Sequence, residues 1–227
     1  GTHAENLYAG IREGAVLMSD GYEVYNGIAH SHGLIHLGCW AHARRYFVEA
    51  EAVLPKAVRR PDQLATQFIA AIARLYAVEV KAKGKAVAER AQLREAASRP
   101  VLAEIQHMLV THRHSVTPGS LLGKALHYLE AQWPKLIRYV ENGAWPIDNN
   151  LCENAIRPFV VGRRNWLFAD TVAGANGSAN IYSLIETCKA NGVDTYRYLV
   201  ALFKALPLAK TADDYEQLLP WHLTLGD

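Results

Sequence analysis

Glu153 stands in the run Asp148-Asn149-Asn150-Leu151-Cys152-Glu153-Asn154-Ala155-Ile156-Arg157-Pro158, and Gly162-Arg163-Arg164-Asn165-Trp166-Leu167-Phe168 follows at once. A carboxylate on the first turn of a helix, with cations and aromatics behind it, suits a site that holds a divalent cation against a polyanion. Hard carboxylate oxygens take Mg²⁺ or Mn²⁺ in preference to zinc, and arginine forks match phosphate. A purely structural account fits the same residues. Asn150 caps the helix, Glu153 reaches back to it three residues on, and Arg157 completes an i,i+4 ion pair. Asp20 offers a second acid. It follows the apolar run Gly14-Ala15-Val16-Leu17-Met18 and precedes Gly21, so its carboxylate falls at the carboxyl edge of a strand, where α/β proteins collect functional groups. Read alone, it is equally an ordinary turn aspartate.

Other residues join the candidate chemistry. Arg163, Arg164, Asn165 and Trp166 can grip a nucleic-acid backbone by phosphate contacts and stacking, or pair with acids and fill a core. Cys39 and His42 form a Cys-x-x-His pair, which is half of a tetrahedral zinc site. His30, His32 and His36 lie nearby without a standard ligand spacing, so a supporting role for Cys39 and His42 fits better. Glu186 is a rival helical carboxylate, and a surface salt bridge is its plain alternative.

These residues need elements to position them. Residues 14–18 and 33–39 read as short strands flanking a helix at 22–29, a parallel pair joined by a crossover. From Trp40 to Glu141 the pattern is almost entirely helical. Leu64, Phe68, Ile72, Leu75 and Val78 recur at steps of three and four, the stripe of an amphipathic helix. Lys83-Gly84-Lys85 and Arg99-Pro100 read as breaks, Thr117-Pro118-Gly119-Ser120 as a helix start, and Asn142-Gly143 as a left-handed stop. Beyond Glu153, residues 165–169 read as a strand or extended turn, and Gly174 and Gly177 as a loop. Helices then begin at Ser178 and at Asp194 or Thr195, the first closed by Asn191-Gly192.

Composition excludes little. With 227 residues, half of them apolar, the chain can bury a substantial core. A formal charge of +2 means that any affinity for a polyanion rests on local clusters such as Arg44-Arg45 and Arg163-Arg164. Three dispersed cysteines argue against a disulfide framework. With neither a signal peptide nor an apolar run of bilayer length, a cytoplasmic location without membrane association is expected. Gly1 in place of an initiator Met implies residues upstream.

Asp20-Gly21-Tyr22, Gly38-Cys39-Trp40-Ala41-His42-Ala43-Arg44-Arg45, Asp148-Asn149-Asn150 with Glu153 and Arg157-Pro158, residues 162–168, and Tyr182-Ser183-Leu184-Ile185-Glu186-Thr187 occur in this order. Together, over residues 3–223, they resemble the bacterial transposases of the insertion sequence 66 family. The resemblance implies an α/β fold, a ribonuclease-H-like DDE transposase core that is incomplete at its N-terminus and interrupted by a large all-helical insertion. It divides the chain into a first part of the catalytic core (1–45), the helical insertion (46–145), a second part of the core (146–206) and a C-terminal tail (207–227). Asp20 matches the second aspartate of the triad and Glu153 the glutamate. The first aspartate would lie upstream of Gly1, so the fragment alone is expected to be inactive. The implied activity is metal-dependent DNA strand cleavage and strand transfer, with two Mg²⁺ (or Mn²⁺) ions and Asp20 and Glu153 as catalytic metal ligands. The implied partners are double-stranded DNA at the element ends and target, further copies of the protein in a transposition complex, and accessory proteins. Arg163, Arg164, Asn165 and Trp166 would contact DNA, and Cys39, His42, Asn150, Arg157 and Glu186 would support the site. A non-catalytic DNA-binding or regulatory remnant, and a helical interaction protein with a structural zinc at Cys39 and His42, remain as alternatives.

Overall fold

The computed structural model describes residues 6–166 and 169–223. The chain divides into two compact units, Gly1–Asn150 and Leu151–Asp227.

The first unit opens with strand β1 (Val16–Ser19), helix α1 (Val24–Ser31) and strand β2 (Ile35–Gly38). The strands are parallel, with Val16 opposite Ile35 and Ser19 opposite Gly38, so both end at the same edge. Leu17, Ile28, Ala29 and Leu34 form a small core between sheet and helix. Four long helices follow: α2 (Trp40–Ala52), α3 (Leu64–Ala82), α4 (Val87–His112) and α5 (Leu121–Leu136), with a 3₁₀ turn at Ile137–Glu141. The stripe predicted from Leu64 onward is real: Phe68, Ile72 and Leu75 are fully buried against Trp40 and Phe47 of α2, Ile105 of α4 and Leu126 and Leu129 of α5. Gly84 ends α3 with φ +77°, as the sequence indicates, and Ser120 caps α5 by accepting a hydrogen bond from the Gly123 amide at 3.0 Å.

A buried cation ties this bundle together. Arg94 of α4 has no exposed surface, and its guanidinium clasps Glu79 of α3 through Nε (2.8 Å) and Nη2 (2.7 Å). Its Nη1 donates to the carbonyls of Tyr139 and Asn142, both at 2.8 Å. Gly143, next in line, lies so close to α4 that a Cβ would meet the Val87 carbonyl at 1.9 Å. This glycine is therefore required by close approach and not by the left-handed stop expected of it.

The second unit is formed by α6 (Asn150–Trp166), which begins on the last residue of the first, together with α7 (Val172–Ala190), α8 (Thr195–Ala205), a 3₁₀ turn at Leu206–Leu208 and α9 (Ala212–Gln217). Cys188, Tyr198, Leu202 and Leu218 make its core, and the Tyr198 hydroxyl donates to the Leu218 carbonyl at 2.8 Å. Asp194 caps α8 and Thr211 caps α9.

The α/β, ribonuclease-H-like expectation is overturned. The sheet among the described residues has two strands, β1 and β2, and the rest of the regular structure is helical. Three local readings fail with it. The strand expected at 165–169 is helix through Trp166, because the polar run Arg163-Arg164-Asn165 simply extends α6; residues 167 and 168 lie outside the described residues. Gly174 and Gly177 lie within α7, which Thr171 caps by accepting from the Gly174 amide at 3.0 Å; the cap and the surrounding alanines outweigh about 1 kcal/mol per helical glycine. Pro100 sits inside α4, where burial of Leu102, Ile105 and Leu109 carries the helix past its missing amide. Among the described residues no helix is long and apolar enough to cross a membrane.

Candidate functional site

The carboxyl edge of the sheet is built in layers from β1 outward. Ser19 is buried, and its Oγ lies 2.8 Å from Nε2 of His36, on the neighbouring strand. Burial, aided by the charges of Lys135 and Arg138, pushes the His36 pKa down to about 4, so this imidazole is neutral near pH 7. Asp20 follows Ser19 and turns outward. Its Oδ1 accepts the Tyr22 amide at 3.1 Å, and its carbonyl accepts the Tyr128 hydroxyl at 2.6 Å. Its carboxylate is exposed at the strand tip, held by a short turn and a tyrosine from α5. Gly21 makes that turn with φ +98°, and a Cβ there would lie 3.0 Å from Gln132 and 3.2 Å from Tyr128.

At the end of β2, two separate sequence motifs meet. Cys39 is buried and donates from Sγ to Oδ1 of Asn149 at 3.0 Å. The Trp40 amide donates to the Ile147 carbonyl at 3.2 Å, and the Trp40 indole to the Leu136 carbonyl at 2.9 Å. Burial pushes the Cys39 thiol above its usual pKa, which keeps it a protonated donor and makes it a poor ligand for a metal. Asp148 is fastened from three directions: Tyr76 of α3 donates its hydroxyl to Oδ2 at 2.8 Å, the Asn150 side chain donates to Oδ2 at 2.8 Å, and the Asn150 amide donates to Oδ1 at 3.1 Å. Burial and this carboxylate raise the Tyr76 hydroxyl well above its ordinary pKa. Asn150, weighed from sequence as a cap answering Glu153, thus turns its amide to Asp148. Arg44, Ala41, Ala73, Tyr76 and Asn150 line a small cavity of about 410 Å³ beside this knot. His42 is half-buried on α2, one turn in from Cys39.

The remaining sequence-predicted residues lie in the second unit. Glu153 is half-buried on the first turn of α6, where the helix's positive end favours a carboxylate. Arg157 is exposed one turn later, and Arg163, Arg164 and Asn165 are exposed on the last turn; Trp166 is the final helical residue. Glu186 of α7 pairs with Lys189 at 2.7 Å, the plain surface role. It also lines a cavity of about 390 Å³ with Ala155, Ile156 and Phe159, where Phe159 meets Tyr182 edge-on at 5.3 Å.

Asp20 thus belongs to one unit and Glu153 to the other, and among the described residues no group of three or more His, Cys, Asp or Glu is gathered for a metal. The donors fit a hard cation nonetheless: both are carboxylates, and Asp20 is solvent-facing. Sequence reasoning missed Tyr76, Tyr128 and the clasp on Asp148. The one available signal was Asp148-x-Asn150, the spacing of an aspartate that accepts an amide two residues on.

Residues 1–177 match the family described as Transposase IS66 family, and residues 183–221 match the IS66 C-terminal element. Three proteins of Sinorhizobium fredii are similar. Uncharacterized protein y4qI is 32% identical over 214 residues, covering 91% of this chain and 39% of that protein. Uncharacterized protein y4jD is 28% identical over 91% of this chain and 41% of its own length, and y4hP is 29% identical over 97% and 41%. The chain therefore spans about two fifths of the length of these relatives. No solved structure matches it significantly.

Proposed function

The chain belongs to the IS66 transposase family, and from that premise we propose that it is the part of a DDE-type DNA transposase that supplies two of three metal-binding carboxylates, Asp20 and Glu153. One observation carries the reading. Ser19 and Gly38 pair at the end of the sheet; Asp20 follows one, Cys39 follows the other, and Cys39 and Trp40 hold Asn149 and Ile147. The segment that leads into the helix carrying Glu153, residues 147–149, is thereby bonded at the end of the strand that neighbours the one leading into Asp20.

In the proposed mechanism each residue has a task. Asp20, exposed at the strand tip, and Glu153, on the helix's first turn, hold Mg²⁺ or Mn²⁺, with a third carboxylate supplied from outside these residues. Two such ions supply activation of a water or 3′-hydroxyl nucleophile and stabilisation of the leaving oxygen. Tyr128 and the Tyr22 amide orient Asp20, while Cys39, Asn149, Tyr76 and Asp148 hold the segment that leads into α6. His42 on α2 and Arg157, one turn after Glu153 on α6, take supporting roles, and Glu186 supports α6 across the Phe159 cavity. Arg163, Arg164 and Asn165, exposed on the last turn of α6, hold double-stranded DNA by its phosphates, and Trp166 is assigned to the same DNA contact. Residues 46–145 stand as a helical module between the two acids. The full-length protein works on element ends and target as an assembly of several copies.

The test is Mg²⁺-dependent cleavage of element-end DNA by the full-length protein. Asp20→Asn and Glu153→Gln are each expected to reduce cleavage to background and leave DNA affinity nearly unchanged, because the phosphate contacts come from cations. Full activity in either variant sinks the assignment; DNA binding without cleavage in the wild type favours a regulatory remnant.

A further inference from the structure

A cleft of about 870 Å³ opens beside Asp20, starting at Gly21 and running along α5 and the end of α4. Its wall carries a pair of stacked rings, Tyr46 and Tyr128, with centroids 4.5 Å apart and planes at 26°. Tyr128 is clamped by its bond to the Asp20 carbonyl, whereas Tyr46 remains 37% exposed. Arg113, His114, Lys124, His127 and Lys135 line the cleft, against two acids, Glu23 and Glu130. Arg113 is committed to Glu130. Lys135 is held by two neutral acceptors, Asn26 Oδ1 at 2.7 Å and Gln132 Oε1 at 2.9 Å, and Lys124 has no ion-pair partner among the described residues. Two ammonium groups that form no ion pair among the described residues, lining the same cleft as an aromatic pair, are the elements of single-strand recognition: phosphates on the cations and a base on the ring. The volume suits one nucleotide with its neighbouring phosphates.

We propose that this cleft binds a single-stranded segment of DNA next to the scissile phosphate, a base lying on Tyr46 and the flanking phosphates on Lys124 and Lys135. The proposal rests on the reading of Asp20 as a metal ligand, since that reading brings a strand to the mouth of the cleft. A ring pair whose Tyr128 bonds the Asp20 carbonyl can take a base that has left its partner beside the cut. Stacking is indifferent to base identity, so the cleft grips without reading sequence.

The experiment uses the full-length protein with Ca²⁺ to block cleavage, and two probes of generic sequence: a blunt duplex, and the same duplex with a short single-stranded extension. Wild-type protein is expected to bind the extended probe more tightly. Tyr46→Ala should weaken that binding about tenfold, the size of one lost base–aromatic stack, and Tyr46→Phe should restore it. Lys124→Gln, on an exposed helical position, should lower the slope of log affinity against log salt by about 0.7 for the extended probe. Neither variant should alter binding of the blunt duplex. Wild-type affinity for the extended probe in both variants, or equal weakening on both probes, overturns the proposal. Asp20→Asn separates the two readings: if it still cleaves DNA while Tyr46→Ala loses the extension, the catalytic reading fails and the cleft stands; if it is inactive while the cleft variants bind normally, the cleft fails alone.

Discussion

The two units hold their polar groups in opposite ways. In the first, functional and structural side chains alike are fixed by bonds in or near a large core: Arg94 to Glu79, Ser19 to His36, Cys39 to Asn149 and Tyr76 to Asp148. In the second, the core among the described residues is Cys188, Tyr198, Leu202 and Leu218, and the helix that carries most of the candidate groups leaves apolar residues exposed, Leu151, Ile156, Val160 and Val161 among them. A buried polar bond fixes a position because breaking it leaves an unsatisfied group in a low-dielectric interior, while a surface pair exchanges readily with water. The bond from the partly buried Tyr76 to Asp148 therefore reads as preset geometry, while the Asp20 carboxylate is exposed and takes one amide. Arg163 and Arg164 are exposed on the last turn of α6, and Glu153 is half-buried on its first.

The sharpest break in that contrast is Arg94→Met. It leaves the Glu79 carboxylate, with 15% of its side chain exposed, without its partner and strips hydrogen bonds from two carbonyls. Removing one member of a buried pair costs about 3–5 kcal/mol. Lys189→Ala, which removes the exposed i,i+3 pair with Glu186, is expected to cost less than about 0.5 kcal/mol. Chemical denaturation of both variants checks the ratio, and comparable losses would remove the distinction between the units.

Acid separates them next. His36 has a folded pKa of about 4 against 6.5 when free, so the folded state binds fewer protons than the unfolded one between those values. Stability from the first unit is therefore complete above about pH 6.5 and falls as the pH drops toward 4, by an amount on the order of 2–3 kcal/mol. In the second unit, Asp214 is held below its usual carboxylate range by the amides of Lys210 and Thr211, so its contribution is kept above pH 3.8 and lost only below. Hydrogen exchange followed as a function of pH should show β2 loosening before α9. His36→Asn should flatten the first unit's response above pH 4, and an unchanged profile would dismiss His36 as its source.

What the sequence made legible follows the same division. The α3 stripe, the caps at Ser120 and Asp194 and the two strands were readable because each is a local pattern, a periodicity or a side chain reaching a nearby amide. The position of Asp20 at a strand tip was readable for the same reason. Tyr76 and Tyr128 were not, since each acts on a residue 72 or 108 positions away and nothing in their own neighbourhood marks the contact. Cys39 was read as a possible zinc ligand because the spacing to His42 is local and the bond to Asn149 spans 110 residues. The wider sheet came from family resemblance and not from further strand patterns in these residues. The strand or extended turn expected at 165–169 opens on Asn165 and Trp166, which instead close α6, and periodicity alone does not separate a short apolar run from the end of a helix.

Two glycines test the contrast at its smallest scale, because they call for opposite signs. Gly143 lies where a Cβ would meet the Val87 carbonyl at 1.9 Å and the Ala91 amide nitrogen at 3.0 Å, both backbone atoms of α4 that no side-chain rotation can clear. Gly143→Ala must push the segment carrying Asn142 away from Arg94, at a cost of about 1–3 kcal/mol. Gly177 lies inside α7 with nothing within 4 Å of its added Cβ. Gly177→Ala gains the helical preference of alanine and removes backbone freedom from the unfolded chain, so it should stabilise by about 0.5–1 kcal/mol. Thermal melts of the two variants should move in opposite directions. A destabilising Gly177→Ala would mean that this face of α7 is covered by something in the working protein, and the second unit would then be less open than its exposed side chains imply.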